Sequence, residues 1–428
     1  MENKAAIIMA TSIICLALVF SAGCAEKVVD QESSAIKEET GSQISETGEN
    51  YRVVTDMRGK EVKVPKDIQR VVTVSDGLIE GVMTVLGEEE AIVGVGSSCI
   101  QRVFVYEYET ASGENYTYKE GMNPVTYLNP WIRDLPLIAQ SGRAMNYETL
   151  ASLNPDVVII RLGSCTLRSA DDEGVIKTIE TIESLGIPLI VLYGPPCYED
   201  PDISKISREI CIIGQVFGKE DQAIELAKYL ESVIEMVKER TKDIYESEKP
   251  EVLMFGLSPK SRDAGGAGTV CGIDTIESYF IEDMVNAKNA YKGAGSRYKG
   301  TGEILSTEQV LALNPDVIVL PTYSGYHPPS ELYTAPYYQN LQELDAVKNK
   351  RVLSLPWSPC NCAKRLEYPI DIMVIAKAAY PERFDDIDLS EWLLEFYLNV
   401  YGVNVTTAEK LRSAQWMDWT LETDVCCE

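Results

Sequence analysis

One histidine, His327, stands in a chain of 428 residues with eleven cysteines and 23 tyrosines. A carrier of bare divalent metal is expected to gather several imidazoles, so a single histidine argues against that chemistry. The cysteines form no CxxC pair, which argues against a structural zinc site. No nucleophile motif or acid–base pair is recognisable, so an enzyme is the weaker reading. What remains is recognition chemistry. Arg161 and Arg262 can pair with the carboxylates of an anionic ligand. Tyr193, Tyr323, Tyr326 and Trp357 offer flat apolar faces. Ser75, Asp76 and Ser97 offer polar atoms, and His327 can serve as an axial ligand or as an ordinary polar loop residue. Each of these lies in a loop just after an expected strand. Ligands of open α/β sheets sit beyond those carboxyl ends. Cys99, Cys165, Cys197, Cys360 and Cys362 also follow expected strands; disulfides or buried thiols suit them better than a soft-metal site.

Two copies of one segment position these loops. Residues 146–160 read NYETLASLNPDVVII and residues 306–320 read STEQVLALNPDVIVL. A short helix ends at Asn-Pro, because the residue before proline is pushed out of the α region. An aspartate follows on the surface, then a continuous apolar run suited to a parallel strand covered on both faces. Two such units far apart imply two similar lobes with a cleft between them. In the first lobe a hairpin over 51–65, a strand over 70–74, a helix over 78–86 and a strand over 91–95 seed a parallel sheet. Residues 100–138, with Tyr106, Tyr108, Tyr116, Tyr118 and Tyr127, interrupt that rhythm as an insertion near the cleft mouth. Residues 220–244 lack glycine and proline and carry one apolar stripe, which predicts a single linking helix. In the second lobe a strand over 251–256, a glycine-rich loop at 264–268 and a helix over 274–285 precede the second repeat. The fold class is α/β: two lobes with mainly parallel central sheets joined by one long, rigid helix.

At the N-terminus, Lys4 precedes a largely apolar stretch of 16 residues, Ala5 to Phe20, and then Ser21-Ala22-Gly23-Cys24. That is an export signal over 1–23, with Cys24 resembling a lipidated residue although Ser21 stands where such signals carry leucine. Residues 24–50 hold seven acids and no aromatic, and read as a tether. The expected divisions are a lobe over 51–205, an interlobe helix region over 206–246, and a second lobe with terminal helices over 247–428. A net charge of −27 argues against nucleic acid as a partner.

Together Thr55-Asp56…Gly59…Pro65, RVVTVS at 70–75, Leu86-Gly87…Val93-Gly94, the paired Glu…Leu-Asn-Pro-Asp units and the linking helix carry a resemblance. Over residues 51–405 the chain resembles the substrate-binding proteins of ABC importers for iron chelates, haem and cobalamin. The resemblance implies a monomer that does no chemistry, has no resident cofactor, and delivers a metal chelate to a membrane permease. It also implies that Glu148 and Glu308, one per lobe, dock on that permease. A ferric chelate is the first expectation for the cargo and a corrinoid or haem the second. A metal-dependent enzyme of related two-lobed fold, or a surface receptor without a permease, is the rival reading.

Overall fold

In the computed structural model, both Asn-Pro-Asp segments lead into a strand buried on two faces. The structure describes residues 50–140, 143–198, 203–257, 259–294, 303–321, 326–357 and 364–422. Cys24, Tyr323, Cys360 and Cys362 lie outside the described residues. Asn154 and Asn314 adopt left-handed backbone, at φ 44° and 38°, which asparagine tolerates better than most residues. The aspartate then has a structural task that its surface position did not suggest. Asp156 Oδ2 accepts from the backbone N–H of Gln69 and Arg70, both at 2.9 Å. Asp316 Oδ2 accepts from Glu251 N–H at 2.8 Å. In each lobe the repeat thus fixes the start of the neighbouring strand.

The first lobe opens with the hairpin β1 (Tyr51–Thr55) and β2 (Glu61–Pro65), then β3 (Val71–Val74) and β4 (Ile92–Val95). A second hairpin follows, β5 (Phe104–Glu109) and β6 (Asn115–Gly121), and then β7 (Val157–Leu162) and β8 (Leu189–Tyr193). The four-stranded sheet has order β4-β3-β7-β8, all parallel. In the second lobe come β9 (Glu251–Gly256), β10 (Gly268–Val270), β11 (Lys288–Asn289), β12 (Glu303–Leu305), β13 (Val317–Leu320) and β14 (Val352–Ser354). Their order is β12-β10-β9-β13-β14, with β11 also on β9. The β9, β11, β13 and β14 pairings are parallel, while β10 and β12 form an antiparallel edge.

Alternate residues of each central strand face different cores. Val157 and Ile159 of β7, Val252 and Met254 of β9, and Val317 and Val319 of β13 share one cluster. Val158 and Ile160 face a second cluster, and Leu253 and Ile318 a third. The shared cluster includes Leu226, Leu230, Val233 and Val237 of the helix Glu220–Thr241. That helix has 22 residues, about 33 Å at a rise of about 1.5 Å each. It follows the helix Ser204–Phe217 through Gly218, whose φ of 67° closes the preceding helix. The helix expected over 274–285 is shorter. Thr275 Oγ1 accepts from Ser278 N–H and starts it at Ile276–Tyr279, after which Phe280–Met284 widens into a π-type turn.

Candidate functional site

The strand ends of the first lobe are polar, but most of their polar atoms are already engaged. Ser75 follows β3; its hydroxyl donates to Glu80 at 2.5 Å and accepts from Gly77 and Ile79 N–H. This holds the start of the helix Leu78–Leu86. Asp76 is buried and accepts from Ser97 Oγ and from Cys165 N–H, each at 2.8 Å. One carboxylate therefore ties together the ends of β3, β4 and β7. Burial pushes the Asp76 carboxyl above its usual range, against those two hydrogen bonds and the charges of Arg365 and Arg161.

Arg161, at 1% exposure, makes a bidentate pair with Glu209, at 0%, with both hydrogen bonds 2.7 Å long. Its third arm donates to the Lys364 carbonyl at 2.6 Å. Lys364 belongs to the segment between β14 and the helix Tyr368–Ala379 of the second lobe. Its ammonium, 2% exposed, reaches Glu277 and Asp371 at 3.1 Å each. Burial opposes that charge, but the two carboxylates outweigh it and hold the lysine above its ordinary value. Arg161 therefore spends its charge on the protein and forms a seam between the lobes.

The insertion forms the second part of the site. In its hairpin, Tyr106 pairs with Tyr118 and Tyr108 with Tyr116 across the strands. Exposed Val105, Glu107 and Glu109 alternate with half-buried Tyr106 and buried Tyr108. The inward tyrosines cross to the second lobe. Tyr106 Oη lies 2.8 and 2.7 Å from the two Glu331 oxygens, Tyr108 Oη is 2.9 Å from Ser330 Oγ, and Ala111 N–H donates to the Thr334 carbonyl at 2.7 Å. Under this strap Trp357 and Trp416 stack at 4.9 Å, with Tyr326 and Tyr118 against them. Arg262 is half-buried, 3.9 Å from the centre of the Tyr337 ring and 3.0 Å from Tyr338 Oη. His327 is fully buried, its Nδ1 3.5 Å from Glu331 Oε2. Among the described residues neither ring nitrogen has a hydrogen-bond partner. Burial holds His327 below the ordinary histidine value, and Glu331 opposes that shift.

The family model for periplasmic binding proteins matches residues 80–359. The chain belongs to the periplasmic binding protein family of ABC importers. It is similar to the molybdate-binding protein MolA of Haemophilus influenzae, 25% identical over 373 residues, which covers 82% of this chain and 91% of MolA. It is also similar to YvrC of Bacillus subtilis, described as an uncharacterized ABC transporter substrate-binding lipoprotein, at 25% identity over 87% of this chain and 96% of that one. A solved periplasmic solute-binding protein from Veillonella parvula superposes with a TM-score of 0.62 at 22% identity, covering 87% of this chain and 99% of that one. Members of the family are extracytoplasmic binding proteins of transporters rather than enzymes. Among the described residues no helix is long and apolar enough to cross a membrane.

In this binding protein the expected site residues thus fall into two groups. Asp76 and Ser97 meet at the first lobe's strand ends, where Ser75 and Arg161 also lie; Tyr326, His327 and Trp357 lie under the strap, and Arg262 stands against Tyr337 and Tyr338. Tyr193, half-buried at the end of β8, joins neither by any hydrogen bond of its hydroxyl among the described residues. A groove of about 590 Å³ opens beside Cys165, lined in part by the exposed cations Arg143, Arg168 and Lys177. Cys99 is disulfide-bonded, while burial pushes the free Cys197 thiol up to about 12. Glu148 and Glu308 are exposed, each in the first turn of its repeat's helix. Sequence reasoning missed Lys364, Arg365, Glu209 and Glu331. The adjacent Lys364-Arg365, just before an apolar helix, was the available signal for the seam. Glu331 carried only its spacing of four from His327.

Proposed function

We propose that the protein is held at the outer membrane face by a lipid on Cys24, captures a ferric chelate between its lobes, and passes it to a permease through Glu148 and Glu308. The observation that carries this reading is the wall under the strap. Arg262 stands over Tyr337 and Tyr338, and Tyr326 packs against Trp357, beside the carboxyl ends of the second lobe's strands, where such folds bind ligands. A guanidinium over phenols suits an anionic, partly aromatic chelate. A haem or corrinoid fits less well, because His327, the one imidazole for axial ligation, is fully buried. The likeness to a molybdate-binding protein along most of the chain supports a second reading, a tetrahedral oxyanion.

Trp357 and Trp416 report directly on this wall, so tryptophan fluorescence is the assay. Residues 49–428, which form one compact unit, are titrated with ferric catecholates and hydroxamates, haemin, cobalamin and molybdate. Saturable quenching by the ferric chelates is expected. Saturation by molybdate alone selects the oxyanion, and no response to any of them refutes both. Glu148→Ala with Glu308→Ala should abolish uptake in cells and leave the titration unchanged. Unchanged uptake would remove the docking assignment.

A further inference from the structure

We propose that Asn115, at the tip of the strap, and Asn404, at the start of the helix Val405–Ala414, are acceptors for an N-linked oligosaccharide. The chain carries two Asn-x-Ser/Thr triplets in which x is not proline, Asn115-Tyr116-Thr117 and Asn404-Val405-Thr406. Such a triplet marks a glycan acceptor in a protein that leaves the cytoplasm, and members of this family are extracytoplasmic. Three residues are short enough to match by chance, so the state of the two amides carries the argument. Asn129, Asn286, Asn289, Asn314 and Asn399 each donate a hydrogen bond from Nδ2 to the protein. Among the described residues neither Asn115 nor Asn404 spends its Nδ2 in this way, and both are exposed.

Both asparagines can carry a sugar without loss of a native bond. Asn404 has extended backbone and caps its helix through Oδ1, which accepts from Thr407 N–H at 2.9 Å. Glycosylation replaces one hydrogen on Nδ2 and leaves Oδ1 an acceptor, so the cap survives. Asn115 opens β6 just past a turn in which Thr110 N–H donates to the Glu114 carbonyl at 2.9 Å and Gly113 takes φ 86°. Side chains alternate along a strand. Tyr116 stacks on buried Tyr108, on the inward side of the strap, whereas Asn115 and Thr117 share the outward side with exposed Glu107 and Glu109. The strap pairs with no other strand among the described residues, so β5 and β6 are both edges. A bulky, hydrated sugar there opposes pairing with another chain. The co-substrate is an oligosaccharide linked to a polyprenyl phosphate. Asn Nδ2 forms a bond to the anomeric carbon, and the bond from that carbon to the phosphate oxygen breaks. The lipid phosphate leaves with the electron pair, and the displaced amide proton passes to solvent. Because β6 is hydrogen-bonded to β5 in the folded protein, transfer takes place on the emerging chain, before the hairpin closes.

The test takes the full chain from the membranes of the cells that make it and maps its tryptic peptides by mass spectrometry. The peptides spanning residues 103–119 and 384–410 should each carry an oligosaccharide mass that is lost stepwise on fragmentation. Asn115→Gln and Thr117→Val should each abolish that mass on the first peptide, and Thr117→Ser, which keeps the hydroxyl, should retain it. Asn404→Gln, and Thr406→Val with the cap intact, should abolish it on the second. An unmodified peptide from the parent chain overturns the assignment at that asparagine. A mass that survives the glutamine or valine substitutions lies on another residue and overturns it as well. None of these positions belongs to the wall of Arg262, Tyr326 and Trp357, so the outcome is independent of the cargo.

Discussion

Replacing Arg161 by methionine should cost about 3–5 kcal/mol of unfolding free energy, the range for removing one partner of a buried ion pair. Methionine keeps much of the apolar stem, so little of that loss is packing. What is lost is two 2.7 Å bonds to Glu209 and the 2.6 Å bond to the Lys364 carbonyl. Glu209, at 0% exposure, is left as a buried carboxylate without its guanidinium. Leucine at position 209 in the same chain removes that charge, and the Arg161→Met/Glu209→Leu pair should lie within about 2 kcal/mol of the parent. Urea unfolding of residues 49–428, followed by circular dichroism, measures both. The single variant's deficit should also shrink on acidification. Burial already pushes Glu209 up, with Arg161 opposing. Without Arg161 the folded state binds a proton that the unfolded state does not hold above its ordinary carboxylate range, so stability rises as pH falls. A loss under about 1 kcal/mol, or a double variant as unstable as the single, would refute the view that the seam is a coupled pair.

Burial raises Asp76, Glu80, Glu209 and Glu367 in the folded state, against one lowered histidine, His327, so the protein should melt higher at pH 5.5 than at pH 8, and Glu80→Gln should reduce that difference while keeping an acceptor for Ser75. Calorimetry across that range checks it, and a melting temperature that climbs toward pH 8 contradicts it. Gly121→Ala should unseat the strap, because the added methyl would stand 2.2 Å from Trp416. That ring is fixed by the Trp357 stack and a 2.7 Å bond to the Lys119 carbonyl, so overpacking should cost about 1–3 kcal/mol. Limited proteolysis should then cut faster within residues 104–121, and an unchanged rate would mean that the strap is held elsewhere.

Local chemistry made some elements readable to the residue. The helix Leu78–Leu86 has one apolar face and ends at Gly87 in left-handed backbone, and β9 is a continuous apolar run. The repeated Asn-Pro-Asp was legible as a turn, but its aspartate's hold on the neighbouring strand was not. That bond joins Asp156 to Arg70, 86 residues away. Distance along the chain hid the site in the same way. Arg161 was expected to meet ligand, yet Glu209, 48 residues on, and Lys364, 203 residues on, take its three arms. Tyr106 and Glu331 lie 225 residues apart. Nothing local distinguishes an arginine awaiting a ligand from one already paired.

The duplicated segment builds the two sheets in the same way, so it cannot be what selects a ligand. Selection must rest where the lobes differ. Among the described residues the first lobe contributes the strap without an equivalent hairpin in the second, and the second contributes His327, Glu331 and Tyr337. These unpaired features meet one another, whereas the residues nearest the repeats are committed to seams and strand starts. A cargo held between strap and second lobe would be released by lifting one hairpin rather than by parting two sheets joined through a shared core. That expectation is specific. Removing the phenol contacts should speed ligand release far more than it lowers the melting temperature, because the hairpin lies outside the cluster that both lobes share.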